Sequence, residues 1–212
     1  MPFDLPPVTR ALLIANVAVF LLQQVIGDML LMWFALWPLG SEPLRGGGTV
    51  GFEIWQLVTY GFLHGGLTHL LFNMLALWMF GGTIERLFGA RPFAIYYFAC
   101  VIGAAVAQLA VIEWFTGGFY PTLGASGGVF GVLLAFGMMY PHQRIMLIFP
   151  PIPMPAWVFV TGYGLIELYL GITGTQAGVA HFAHLGGMVA GFVLIQYWRG
   201  RLPFKPRRIL MR

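Results

Sequence analysis

The chain has 212 residues, 59% hydrophobic and only 8% charged, with a mean hydropathy of +0.82 and a net charge of +4. Soluble domains carry about 25% charged residues, so a water-soluble globule is excluded on composition. The basic residues lie between apolar runs and in a short tail, not on one polar face, which argues against nucleic acid as a partner.

A membrane-crossing helix needs about 20 mostly apolar residues. Such runs predict spans near 9–27, 68–87, 92–114, 125–140, 151–172 and 178–198, an all-α polytopic membrane protein in one domain over 1–212. The first run ends in Gln23-Gln-Val-Ile26 without a small-residue cleavage site, so it reads as a retained span and not a signal peptide. Residues 28–67 carry Trp33, Phe34, Leu36, Trp37 and Trp55, which favour the headgroup region. The second span brings His69 and Asn73, with His64 and Thr68 just before it and Glu85 near its end. The lone Cys100 sits in the third and forms no internal disulfide. The fourth, which is short, opens with Gly124-Ala125-Ser126-Gly127. Pro150, Pro151, Pro153 and Pro155 limit helix after it. The fifth holds Glu167 near its middle, residues 171–178 form a flexible outer loop, and the sixth carries His181, His184, Gly187 and Gly191.

Six spans put both termini on one side, together with ten of the eleven basic residues; only Arg45 falls opposite. The positive-inside rule then places both termini in the cytoplasm.

Polar residues inside spans are costly and mark function. Spans two, four and six all run inward, so His69, Asn73, Ser126, His181 and His184 share one layer near the outer face. At about 1.5 Å of rise per residue, each lies within roughly 10 Å of its span's outer end. Gly127/Gly131 and Gly187/Gly191 are small-xxx-small pairs that let helices four and six approach closely. The placement of His184 over Gly187 and Gly191 favours it over His181 as a base for Ser126. No carboxylate suggests itself as a partner for the imidazole, so a Ser/His dyad without an acid is expected. Phe130, one turn below Ser126, is placed to hold the ring by packing. His69 and Asn73, with backbone N–H groups around Gly124 and Ala125 at the start of the fourth span, could form an oxyanion hole. His64, Thr68 and His181 are expected to line a wet cavity open to the outside.

His69-x-x-x-Asn73, Gly124-x-Ser126-Gly127 and Ala183-His184-x-x-Gly187-x-x-x-Gly191 together resemble the rhomboid family of intramembrane serine proteases, over nearly the whole chain. The resemblance implies Ser126 and His184 as the catalytic dyad, His69 and Asn73 as oxyanion binders, Glu85 as a structural acid and loop 171–178 as a mobile cap. It also implies transmembrane segments of other proteins as substrates, membrane lipids as neighbours, and neither metal nor cofactor. A bacterial plasma membrane fits, with the site open towards the outer side. Two departures stand out. Trp55-Gln56 replaces a usual Trp-Arg, which puts a loop contact in question, and Phe130 replaces a frequent tyrosine. The rival readings are a catalytically dead relative acting as a chaperone or trafficking factor, and a small proton- or metal-coupled transporter.

Overall fold

The computed structural model describes residues 5–43, 48–146, 151–174 and 179–204. Arg45, Pro150, loop residues 175–178 and the basic tail from Lys205 therefore lie outside the described part. Six long helices occur among the described residues: α1 (Pro7–Phe34), α2 (Leu67–Phe88), α3 (Ala90–Thr116), α4 (Ser126–Met139), α5 (Ala156–Thr173) and α6 (His181–Trp198). α1, α2, α3 and α5 are long and apolar enough to cross a membrane. α4 has 14 residues, too few by itself for the full apolar thickness, and His181 and His184 dilute the apolar run of α6. The outward faces are those of a polytopic membrane protein. Ile14, Leu21 and Val25 of α1, Leu165, Tyr169 and Ile172 of α5, and Val189 and Phe192 of α6 are all exposed. So large an apolar surface would be anomalous in water.

The helix boundaries correct several expectations. α1 runs to Phe34, past the expected end at residue 27, because Ile26 alone leaves helical geometry (φ −129°, ψ 37°) and an apolar stretch continues the helix beyond it. Its last carbonyls are satisfied from the following segment. The Trp37 indole donates to Leu31 and Met32, the Trp55 indole to Trp33, and the Thr59 hydroxyl to Phe34. Gln56 is buried; its amide donates to Gly51 and accepts from the Trp37 N–H, so the residue in place of the usual Arg is a tie inside this segment. α5 starts at Ala156, not 151, since Pro151, Pro153 and Pro155 cannot donate to a helix ladder. It ends at Thr173, one residue past the expected end, so the opening residues of the expected loop 171–178 belong to the helix. The fold is mostly helical but not all-α. Two short antiparallel ladders flank connections, β1 (Ser41–Pro43) with β2 (Thr49–Gly51) and β3 (Arg144–Met146) with β4 (Pro153–Pro155).

α3 runs through the middle of the bundle, with Phe93, Tyr96, Tyr97, Cys100 and Val101 almost fully buried. Gly89, at φ +86°, makes the sharp turn from α2 into it. At the end of the bundle remote from Ser126, Glu85 is 2% exposed and acts as an N-cap supplied in trans. Its carboxylate accepts from the N–H groups of Val8 and Thr9 at 2.9 and 2.6 Å, and from the Thr9 hydroxyl at 2.8 Å. α1 has no capping side chain of its own.

Truncation at Glu85 leaves buried donors unpaired, each at a cost of about 1–3 kcal/mol. Glu85→Ala is expected to lose about 3–6 kcal/mol of stability and Glu85→Gln less, measured by thermal unfolding in detergent micelles.

Candidate active site

Ser126 is the first residue of α4, and the chain leading to it is held on both sides. Leu36 and Thr122 exchange backbone hydrogen bonds at 2.9 and 2.8 Å, and the Gly124 N–H donates to the Tyr60 carbonyl at 3.0 Å. Tyr60 is in turn fixed by its hydroxyl, which donates to the Val101 carbonyl of α3. Gly124 adopts φ +129°, a conformation side chains rarely allow, and so turns the chain into the helix. No side chain caps the α4 N-terminus at Ala125, so its first N–H groups stay available near the serine.

His184 reaches Ser126 because α6 lies directly on α4. A methyl group built at Gly187 would run into the Gly127 carbonyl. The second halves of the two glycine pairs also admit α3. Gly131 faces Cys100 of α3 as well as the Gly187 carbonyl of α6, and Gly191 faces Tyr96 and Cys100, so α3 backs the pair where the two helices meet. His184 Nε2 stands 2.8 Å from Ser126 Oγ. The Phe130 ring lies flat against the imidazole, with centroids 4.3 Å apart and planes at 6°, and Tyr163 stacks on its far side at 5.2 Å.

The structure overturns the expectation that no carboxylate serves this histidine. Glu167 Oε2 lies 2.8 Å from His184 Nδ1 and 2.7 Å from His181 Nδ1. Glu167 stands six residues before the Thr173 end of α5, which puts it level with the first turn of α6 and within reach of both histidines. An ionised carboxylate only accepts, so both Nδ1 atoms donate to it and His184 Nε2 is left to accept the Ser126 hydroxyl.

On the other side of Ser126 stands His69. A Cβ at Gly124 would lie 2.8 Å from His69 Nε2 and 3.6 Å from Ser126 Oγ, so both groups face one small volume. The Gly65 N–H donates to His69 Nδ1 at 3.4 Å, which leaves the proton on Nε2, pointing towards that volume. Asn73 is buried and donates from Nδ2 back to the His69 carbonyl at 3.1 Å, with its second amide proton free of that bond. His64 and His181 are packed away instead of lining an opening, at 3% and 5% exposure. Both ring nitrogens of His64, and Nε2 of His181, have no hydrogen-bond partner among the described residues. The His64 ring meets His69 edge-on at 5.1 Å, and burial, followed by the neighbouring His69, lowers its pKa to about 4. Its backbone is clasped by Gln23 of α1, whose amide accepts from the His64 N–H at 2.9 Å and donates to its carbonyl at 3.2 Å. Ser126 and His69 themselves are half-buried and Thr68 is exposed, so the reactive layer has one open side.

Glu167, Gln23, Tyr60 and Tyr163 were not identified as site-building residues from the sequence. For Glu167 and Gln23 the available signal was polarity within an apolar helix.

The Rhomboid domain family matches residues 51–201. The chain is 28% identical to "Rhomboid protease GlpG" of Serratia proteamaculans over 205 residues, 92% of this chain and 63% of that protein. It is 33% identical to "Rhomboid protein 1, mitochondrial" of Saccharomyces cerevisiae over 151 residues, 64% of this chain and 39% of that one. "Rhomboid protease GluP" of Bacillus subtilis is 32% identical over 140 residues, 66% and 25% of the two chains. The chain thus spans less than two thirds of the length of each of these relatives.

A side chain at Gly187 has only backbone to push against. Gly187→Ala is expected to cost about 1–3 kcal/mol by overpacking and to slow fluorophosphonate labelling of Ser126 by separating it from His184. Gly162→Ala, on α5 with nothing within 4 Å, serves as the control, with melting temperature and labelling rate as the readouts.

Proposed function

The chain belongs to the rhomboid family, and on that premise we propose that it is an intramembrane serine endopeptidase that hydrolyses peptide bonds in or near transmembrane segments of other proteins. The observation that carries this is the 2.8 Å contact of His184 Nε2 with Ser126 Oγ in a half-buried site at the ends of three helices. A serine hydroxyl is a weak nucleophile until a base takes its proton. His184 accepts that proton as Oγ attacks the carbonyl carbon, and returns it to the leaving amine when the C–N bond breaks. Water then adds to the acyl-enzyme by the same route in reverse order.

The oxyanion formed at each addition needs fixed donors. His69 Nε2–H and the uncapped N–H groups at the start of α4 point to the right volume, and the second amide proton of Asn73 is close on the same helix face. A helix N-terminus adds its positive dipole end. Phe130 and Tyr163 stack behind the imidazole and limit its rotation. α4 and α6 are proposed as the remaining two spans of a six-span bundle, completing those of α1, α2, α3 and α5. The tally of basic residues supports cytoplasmic termini and a site facing the outer side, in a bacterial plasma membrane. Lipids cover the exposed apolar faces. A chaperone that has lost its chemistry would not need Ser126 or His184, and both are in place.

Ser126→Ala and His184→Ala are expected to lower cleavage of a model transmembrane substrate at least about 10³-fold and to abolish fluorophosphonate labelling, while the folded proteins still elute as wild type from size exclusion. Full activity of folded His184→Ala would reject the base. His69→Ala removes one oxyanion donor and is expected to reduce kcat about 10²-fold, with Asn73→Ala milder, measured by initial rates in proteoliposomes.

A further inference from the structure

An ionisable acid in an apolar helix is expensive unless it is used. Among the described residues of α5 only Ala156, Val160 and Glu167 are buried. Glu167 puts one carboxylate oxygen against two imidazole nitrogens, at 2.7 Å to His181 and 2.8 Å to His184. The other nitrogen of His184 meets the serine at 2.8 Å. Carboxylate, imidazole and hydroxyl therefore form one continuous chain of hydrogen bonds from α5 through α6 to α4.

We propose that Glu167 is a positioning residue for His184: it holds Nδ1–H, fixes the tautomer that leaves Nε2 free to accept, and stabilises the imidazolium formed when Ser126 loses its proton. This rests on the protease reading above and extends it. The proton travels from Ser126 Oγ to His184 Nε2 and on to the leaving amine. Glu167 stays ionised throughout and takes no proton. His181 contributes by donating to the same oxygen, which keeps the carboxylate turned towards α6. The stacked Phe130 ring sets the plane of the imidazole, while the carboxylate sets its rotation within that plane, so the two constraints are complementary.

Glu167, His181 and His184 also make up a donor set of a kind that can hold a cation. Two donors on one tetrahedral zinc ion stand about 3.3 Å apart, whereas the N···O separations of 2.7 and 2.8 Å are those of direct hydrogen bonds. The geometry favours protons between these atoms.

The test compares the full chain in detergent with Glu167→Gln, Glu167→Asp and Ser126→Ala, using a transmembrane substrate for kinetics and 15N-histidine labelling for NMR. Glu167→Gln keeps the shape but not the charge. It is expected to lower kcat about 10–100-fold with KM changed less than about twofold, and to move the low-field His184 Nδ1–H resonance upfield. Glu167→Asp is expected to recover part of kcat. A purely structural tie between helices would move the melting temperature without this resonance. Wild-type kcat and an unmoved resonance in folded Glu167→Gln, with Ser126→Ala inactive, would overturn the proposal and leave a dyad. Should the glutamine variant not fold, an unprotonated His184 Nδ1 in the wild-type protein would overturn it equally. Stoichiometric zinc binding that Glu167→Asp or Glu167→Gln removes, with inhibition reversed by a chelator, would reassign the cluster to a cation. Cleavage surviving in Ser126→Ala would instead sink the protease reading itself.

Discussion

Where α6 crosses α4, the backbone at Gly187 rests on the carbonyl of Gly127, with no space for a side chain on either. Inside a bilayer there is little hydrophobic drive between helices, so contact has to come from close packing and hydrogen bonds. This contact supplies both. It brings the backbones together three residues below His184, and that spacing places the imidazole beside the first side chain of α4. Around it the packing is aromatic and tight. Cys100 and Tyr96 of α3 fill the space left at Gly131 and Gly191, so α3 acts as the template against which the two reactive helices are aligned. The proposed chemistry depends on an interface built from residues that take no part in it.

The sequence makes much of this legible. Apolar runs locate six long helices to within a few residues at most ends, because length and hydropathy are properties of the chain alone. Ser126, His184 and His69 stand out because polar groups in apolar helices are rare enough to be informative. Glu167 belongs to the same class, yet its role was hidden because depth along one helix does not say which neighbour a side chain meets: six residues before the Thr173 end of α5, it reaches His184 only because α5 packs beside the first turns of α6. Boundaries set by proline-rich connections depend on which carbonyls find partners in three dimensions, and hydropathy does not report that. The role of Gln56 was equally invisible, since a buried amide that ties a loop looks in sequence like any polar loop residue. The loop ladders, too, follow from pairing across connections and not from local pattern.

The polar groups of α1 show how a helix can end in a bundle of this kind. Its first N–H groups are met by Glu85 from α2, and its last carbonyls by Trp37, Trp55 and Thr59 from the following segment. Neither end is capped from within the helix. α1 is therefore fastened at both tips by side chains from elsewhere, while most of its length faces outward. Such fastening lets a largely lipid-facing helix keep a fixed height relative to its neighbours.

That fixed height has a further meaning through Gln23. Its amide grips both backbone groups of His64, five residues ahead of His69. α1 contributes none of Ser126, His184 or His69, yet it works as a depth gauge for the donor side of the site. If α1 slid by one residue, the turn over 63–66 would slide with it, and His69 would rise or sink against the serine. An alkyl side chain in place of this one glutamine would uncouple the gauge. The first span would then still cross the lipid, but the register of the reactive layer would no longer be written into it.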